Sequence, residues 1–391
     1  MRSLNSRTVA LFVAVFLAFG GSPESASAQA SKPALVSPVI HADGTVTVAL
    51  KAPKAAAVKV SSGELQRVVG PDALTMTKSD DGLWTATFGP VPPGIYDFAF
   101  DVDGLRVTDP LSTHVMGNRT GSRGYLEIPG PAGKPRSDEW RDVPHGTVTQ
   151  LWYQSKATGK RRSAHIYLPP GYNKQLDTKY SVVYLLHGSG DDDRHWSQLG
   201  QANVIADNLI ADKKAVPMII VMPDGHPAGT VSPAASPAER AEHSERNRKL
   251  FGADLVGDLI PLVDAEYRTR NDSKSRAIVG LSMGAGQSLD VGLKNLDLFA
   301  YVGAFSGGAA RPDVLEKLTA DPQAYDEQLR LLWIGIGKDD RSVTANRLLS
   351  EQLKQLGIRH EYRETEGAHS WMVWRGYLAE FLPRLFQAER P

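Results

Sequence analysis

The chain changes texture once, near residue 147, and that change bounds what it can fold into. Before it, short runs alternate apolar and polar residues between turn signals. Residues 45–50 follow Asp43-Gly44, residues 83–88 follow Asp81-Gly82, and residues 95–100 follow Pro92-Pro93-Gly94. Period-two alternation with regular turns and no helical stripe predicts a small all-β sandwich over 35–116. After residue 147 the pattern becomes strand–helix alternation. Residues 180–186 and 218–222 are nearly continuous apolar runs, as strands buried on both faces should be. Further strands are expected at 147–152, 163–168, 277–280, 301–305, 331–335 and 360–363. Helices are expected at 202–213, 254–267, 282–293, 343–356 and 371–386. In the second of these, Leu255, Leu259 and Val263 repeat at four-residue spacing and mark one apolar face. About eight strands with helical crossovers predict a doubly wound α/β domain over 147–391.

Two stretches interrupt these patterns. Residues 117–146 are rich in Gly, Pro, Arg and Ser and are expected to be a linker. Residues 226–250 form a long connection of Pro, Gly and mixed charge, expected as a loop over the active-site edge of the sheet. Within it, 240–249 reads as a solvated helix face.

Composition removes several classes of function. The 44 basic and 44 acidic side chains cancel, so no global field attracts nucleic acid or an anionic membrane. Cys is absent, which excludes a disulfide framework, a thiolate nucleophile, a Cys-ligated zinc and a lipid-modified leader cysteine. At the start, Arg2 and Arg7 precede an apolar run over 9–19, followed by Ala26-Ser27-Ala28. This is the order of a cleaved signal peptide over 1–28. The run is well short of the roughly 20 residues that span a bilayer. A secreted or periplasmic protein with no membrane span is expected.

The sharpest chemical signal is Gly280-Leu281-Ser282-Met283-Gly284, directly after the apolar strand and before a helix-forming stretch. A strand–turn–helix elbow lifts a serine Oγ above the sheet edge, and its glycines allow a strand–helix approach too tight for a Cβ. Such a serine needs a base, and the base a carboxylate, in the chain order Ser, Asp or Glu, His. Only His360 and His369 follow Ser282; His360 begins a strand, whereas His369 lies in the loop before the last helix. His369 is therefore the expected base. Asp340 is preferred as the acid over Asp339 and Glu366. The expected oxyanion donors are the N–H groups of Met283 and Ser189, with Gly190 the fallback, because His187-Gly188-Ser189-Gly190 follows the third strand.

Other residues read more plainly. Asp191-Asp192-Asp193 with His195, near His187 and His226, is expected to be a solvated acidic loop rather than a metal site. No metal or organic cofactor is implied. Trp196 and Trp371 flank the expected pocket and are candidate substrate contacts. Trp84 is expected in the sandwich core.

With these residues in hand, the second domain resembles the esterase-D-like branch of the α/β-hydrolases. It is most similar to carbohydrate esterase family 1, which includes feruloyl and acetylxylan esterases. The resemblance runs through Tyr167-Leu168-Pro169-Pro170-Gly171-Tyr172, Leu185-Leu186-His187-Gly188, Asp258-Leu259-Ile260-Pro261, the Ser282 elbow, Phe305-Ser306-Gly307 and Gly367-Ala368-His369. It implies Ser282, Asp340 and His369 as the triad and Ser189 and Met283 as oxyanion donors. Ala285 departs from the third glycine common after the elbow. The first domain looks like early-set, Ig-like modules related to glycogen-type carbohydrate-binding domains, through Asp81-Gly82-Leu83-Trp84 and Pro92-Pro93-Gly94-Ile95-Tyr96. Bracing of the catalytic domain is expected of it, with glycan contact the alternative. The resemblance implies an ester substrate, an acylated carbohydrate. A siderophore esterase, an acyltransferase on the same triad, and a carbohydrate-binding protein with an inert hydrolase scaffold are the rival readings.

Overall fold

The computed structural model describes residues 34–387 apart from positions 120, 132 and 233. The expected signal peptide lies outside the described residues. From Val36 onward the chain clusters as one compact unit.

The first layer is a sandwich of two antiparallel sheets. One sheet runs Val39–Ile40, Val46–Lys51, Leu83–Phe88, Thr77–Lys78 across its width. The other runs Val58–Ser61, Gly94–Val102, Gly121–Ile128, Val115–Asn118, with Leu105–Val107 also paired to Gly94–Val102. Alternate residues of these strands, Val46 and Val48 against Phe98 and Phe100, meet in a core that includes Trp84. The Trp84 ring nitrogen is satisfied by the carbonyl of Ala52 at 2.9 Å. Two expectations are corrected here. The stretch 117–146 is not all linker, because Gly121–Ile128 pairs along Gly94–Val102 and completes the second sheet. The domain is also not purely β: Ser62 caps a short helix, Gly63–Val69, by accepting from the Leu65 N–H at 3.1 Å.

The rest of the expected linker is tied down. The Asn208 side-chain amide donates to the carbonyls of Ser137 and Glu139, and Asp138 pairs with Arg375 at 2.8 Å.

The second layer is an eight-stranded sheet. Its spatial order is Thr147–Gln154, Arg161–Leu168, Met218–Pro223, Ser181–Leu186, Arg276–Leu281, Tyr301–Phe305, Leu331–Gly337, Glu361–Thr365. The first two strands are antiparallel to their neighbours and the rest run parallel. The continuous apolar runs are explained by two cores. Val182, Tyr184 and Leu186 enter the core on one face, while Val183 and Leu185 enter that on the other. This is the α/β-hydrolase arrangement, and the sandwich packs beside its carboxyl edge.

The long connection after Met218–Pro223 also differs from expectation. Ser236 and Glu239 form a reciprocal capping box that starts a helix, Pro237–Asp254. That helix runs through a wider turn, Leu255–Leu259, into Ile260–Glu266. Its mixed charges over 240–249 are largely exposed, as their pattern predicts.

Candidate active site

Three strands of the large sheet end at one crevice. Arg276–Leu281 delivers Ser282, Leu331–Gly337 delivers Asp340, and Glu361–Thr365 delivers His369. The carboxyl ends of parallel strands are where ligands bind in such sheets. Ser282 sits at φ +53° and ψ −113°, a conformation that side-chain-bearing residues rarely adopt. The surroundings hold it there. Its N–H donates to the Phe305 carbonyl at 2.8 Å, and the helix Met283–Lys294 begins at the next residue. The elbow glycines are required sterically. A Cβ at Gly284 would lie 2.6 Å from the carbonyl oxygens of both Leu186 and His187, and one at Gly280 would lie 2.6 Å from the Gly284 carbonyl carbon. Ala285, the departure noted in the sequence, is fully buried opposite Gly307, which leaves room for its methyl.

His369 Nε2 lies 2.9 Å from Ser282 Oγ, and His369 Nδ1 lies 2.8 Å from Asp340 Oδ2. Asp340 is buried, which pushes its carboxyl upward. Hydrogen bonds from His369, from the Ser342 N–H at 2.8 Å and from the Ser306 hydroxyl outweigh burial and hold it below its ordinary value. An ionised Asp340 fixes the proton on Nδ1, leaving Nε2 to accept from the Ser282 hydroxyl. Asp339 points elsewhere: its N–H donates to the Gly367 carbonyl at 3.0 Å, and its side chain makes no contact with His369. That backbone bond laces the loop carrying Asp340 to the loop carrying His369.

The loop after Ser181–Leu186 comes up beside the serine, where a Cβ at Gly188 would lie 3.6 Å from the Ser282 Cβ. Met283 is the first residue of its helix, so its N–H has no acceptor within that helix. The fallback donor is engaged, since the Gly190 N–H donates to His226 Nε2 at 3.2 Å. Burial and the neighbouring His187 bring His226 down to about 4, consistent with a neutral acceptor ring.

Two readings need correction. The acidic loop is not solvated: Asp193 and His195 are buried, with His195 between Asp191 at 3.3 Å and Asp192 at 3.0 Å, and Asp193 faces His165 at 3.2 Å. Trp196 does not reach substrate space. It is 1% exposed, and its ring nitrogen donates to the Leu186 carbonyl at 2.9 Å. Trp371 does line the cavity and stands edge-on to Trp196, their centroids 5.1 Å apart.

The cavity above Ser282 has a volume of about 420 Å³, and nine of the 21 residues that line it come from the sandwich. Glu64, Arg67, Asn118, Arg123 and Tyr125 face Ser189, Ser282, His369 and Trp371 across it. No described residue of 226–250 lines it, so that connection is not the lid over this cavity. The sandwich also holds the residue of the fallback donor, Gly190. The Arg119 N–H donates to the Gly190 carbonyl at 2.8 Å, and the Arg119 guanidinium pairs with Asp224 at 2.6 Å. Sequence reasoning missed these wall residues and also Trp374. The Trp374 ring is perpendicular to His369 with centroids 4.9 Å apart, and its nitrogen donates to Ser306 Oγ at 3.0 Å. Its position three residues after Trp371 on the helix Trp371–Phe381 was the available signal.

The fold is that of an α/β-hydrolase, with Ser282 on a strand–turn–helix elbow at the carboxyl edge of its sheet. The family described as "Putative esterase" matches residues 155–385, more than half of the chain. The chain belongs to this esterase family. A xylanase/feruloyl esterase of Xylanibacter ruminicola is 32% identical over 356 residues, 90% of this chain and 46% of that protein. The chain thus spans about half the length of that relative. A family 1 ferulic acid esterase of Anaeromyces mucronatus, solved with ferulic acid, superposes with a TM-score of 0.57 at 25% identity, over 67% of this chain and 98% of that one. An enterobactin esterase of Shigella flexneri, at 19% identity, shares the fold over 88% of this chain and 93% of its own, with a TM-score of 0.62. Among the described residues no helix is long and apolar enough to cross a membrane.

Proposed function

We propose that the protein is an exported serine carboxylic-ester hydrolase acting on acylated carbohydrates, with an aromatic, feruloyl-type acyl group. The observation that carries this reading is His369, poised at 2.9 Å from Ser282 and 2.8 Å from Asp340. Ser282 Oγ attacks the ester carbonyl while His369 Nε2 takes its proton. Asp340 keeps the imidazole in the required tautomer and stabilises the imidazolium. The N–H groups of Ser189 and Met283 receive the oxyanion. His369 then gives its proton to the departing alcohol, leaving an acyl-enzyme. A water molecule, deprotonated by His369, attacks that acyl group, and the proton returns to Ser282 as the acid leaves.

An aromatic acyl group is favoured by the cavity's size and by its ring-bearing wall of Trp371, Trp374 and Tyr125. Its charges do not favour a polyanionic siderophore, because Arg67, Arg123 and Arg341 are matched by Glu64, Asp97 and Asp191. The likeness of the Xylanibacter and Anaeromyces proteins supports the same choice.

The test is the ratio of kcat/KM for methyl ferulate to that for an acetylated xylo-oligosaccharide, with Ser282→Ala as the blank. A ratio well above one upholds the aromatic-acid reading, and a ratio well below one replaces it with a sugar deacetylase. Turnover of neither above the blank rejects the carbohydrate-ester reading. Export rests on the leader at 1–28, and a mature N-terminus near residue 29 on protein recovered outside the cytoplasm is the matching observation.

A further inference from the structure

The loop 187–190 leaves one backbone donor over. His187 Nε2 accepts from the Gly225 N–H at 2.7 Å, so the ring proton sits on Nδ1 and is donated to the Gly188 carbonyl at 2.8 Å. The Gly190 N–H is spent on His226 Nε2. Between these two pinned residues, the Ser189 N–H has no acceptor among the described residues. Ser189 lines the cavity together with Ser282.

The contacts that pin Gly190 close into a ring of four residues, and one of them belongs to the sandwich. Arg119 follows the strand Val115–Asn118, and its N–H donates to the Gly190 carbonyl at 2.8 Å. The Gly190 N–H donates to His226 Nε2 at 3.2 Å, and the His226 backbone N–H donates to Asp224 Oδ1 at 3.0 Å. Asp224 Oδ2 completes the ring by accepting from Arg119 Nη2 at 2.6 Å. The pair of Arg119 and Asp224 is 25% and 19% exposed, so solvent screens it weakly.

This ring is rooted in the large sheet. Asp224 directly follows the strand Met218–Pro223, its N–H donates to the Ser163 carbonyl at 3.2 Å, and its own carbonyl accepts from Arg162. A second strap ties the same hairpin to the same loop. Arg194 Nη2 donates to the Gly117 carbonyl at 3.1 Å while its guanidinium is held by Asp192 at 2.6 Å.

We propose that Arg119 is a positioning residue for the oxyanion donor: by closing this ring it fixes Gly190, and so keeps the Ser189 N–H aimed at the carbonyl oxygen of a bound ester. The proposal rests on the reading of Ser189 as a donor and adds the group that holds it, from outside the hydrolase domain. Arg119 is absent from the cavity wall and acts through Gly190 and Asp224. A donor that drifts costs the transition state, where charge gathers on the oxygen, more than it costs the bound ester.

The test measures kcat and KM for wild type, Arg119→Ala, Arg119→Lys and Ser282→Ala on an aryl ester and on its thionoester, in which sulfur replaces the carbonyl oxygen. N–H groups set for an oxyanion serve the larger, weakly accepting sulfur poorly, so the wild type should prefer the oxo-ester. Outright loss of one donor costs about a hundredfold or more, and Arg119→Ala, which only loosens it, should lower kcat for the oxo-ester about tenfold with KM within about twofold. The thionoester should lose little, so the oxo-to-thiono ratio of kcat/KM should fall. Arg119→Lys keeps a cation for Asp224 and should recover part of both losses. A merely structural role would slow both substrates alike and leave the ratio where it was. Unchanged kcat, a rise in KM alone, or an unchanged ratio in Arg119→Ala each overturns the proposal. If Arg119→Ala does not fold, Arg119→Lys carries the test, and a wild-type ratio in that variant counts against the proposal. A wild type with no preference for the oxo-ester strikes at the oxyanion reading itself and takes the proposal with it. Retained turnover in Ser282→Ala would instead strike at the triad reading.

Discussion

Arg375 Nη2 donates to the carbonyl of Ile95 at 3.0 Å, across 280 positions of sequence. The guanidinium is 2% exposed and is shared among a sandwich strand, the Leu199 carbonyl and Asp138. Replacing it with Ala takes one of two guanidinium partners from the buried Asp138 carboxylate, which keeps Arg136 at 2.9 Å, and leaves the Ile95 and Leu199 carbonyls without their donor. Arg375→Ala should therefore lower stability by about 3–5 kcal/mol. The double variant Arg375→Leu with Asp138→Leu should recover much of this loss. Urea denaturation of the full chain measures both, and equal losses in the two variants would contradict the buried-charge argument.

Asp340→Asn keeps the shape of the acid but no longer dictates the proton on His369 Nδ1. A fall in kcat of about ten-thousand-fold is expected, with KM little changed. The native carboxyl is held below its ordinary value of 3.8, so it adds stability above that value. This contribution fades as pH falls through the depressed value. The stability gap between wild type and Asp340→Asn should thus narrow on acidification below pH 4, as urea midpoints at successive pH values would reveal.

At Gly284 a methyl group has nowhere to go, because its two nearest atoms are backbone carbonyl oxygens rather than yielding side chains. Gly284→Ala should cost about 1–3 kcal/mol and shift the elbow enough to lower kcat about a hundredfold. Thermal melting and single-substrate kinetics report the two effects separately. A variant with wild-type values in both would mean that the elbow is looser than its contacts imply.

Two tryptophans that lie near the pocket in sequence should respond differently. Trp371→Ala removes a ring from the cavity wall and should raise KM for methyl ferulate about tenfold. Trp196→Phe loses the bond to Leu186 and part of a packed ring, so it should cost about 1–3 kcal/mol with KM unchanged. Substrate saturation curves beside melting curves decide between these assignments.

Glu64 gives a pH signature of opposite sign to Asp340. Its carboxyl rises from an ordinary 4.5 to about 7 in the folded chain. Between those values the native state binds more protons than the unfolded one, so this group's contribution to stability falls as pH rises. The stability difference of wild type minus Glu64→Gln should decline from pH 4.5 to pH 7 and level off above. A flat difference across that window would place the Glu64 carboxyl in an ordinary environment.

The hydrolase layer was legible because its signals are local. Continuous apolar runs mark strands with two buried faces. Ser282 and His369 each follow a strand and precede a helix, and chain order with a place at a strand end favoured Asp340 over Asp339 and Glu366. The strand Gly121–Ile128 was not legible, since Gly121-Ser122-Arg123-Gly124 carries no alternation. It is made a strand by pairing with Gly94–Val102. Gly124 is small because a Cβ there would lie 3.2 Å from the Phe98 ring and from Ser112 Oγ. Trp196 misled for a related reason. Closeness in sequence to the loop at 187–190 says nothing about which way a ring turns, and burial with a backbone acceptor turned it inward. Glu64, Arg123 and Tyr125 left no local mark at all, because only the packing of two domains brings them to Ser282.

That shared wall separates kinship from selectivity. The esterase family match begins at residue 155, whereas Glu64, Arg67, Asn118, Arg123 and Tyr125 all precede it, although the Xylanibacter protein is similar over 90% of the chain. Two relatives with identical hydrolase portions and different sandwiches would present different surfaces to the same Ser282. The shape offered to a ligand can thus drift, or be redirected by exchange of the first 130 or so residues, while Ser282, Asp340 and His369 stay fixed.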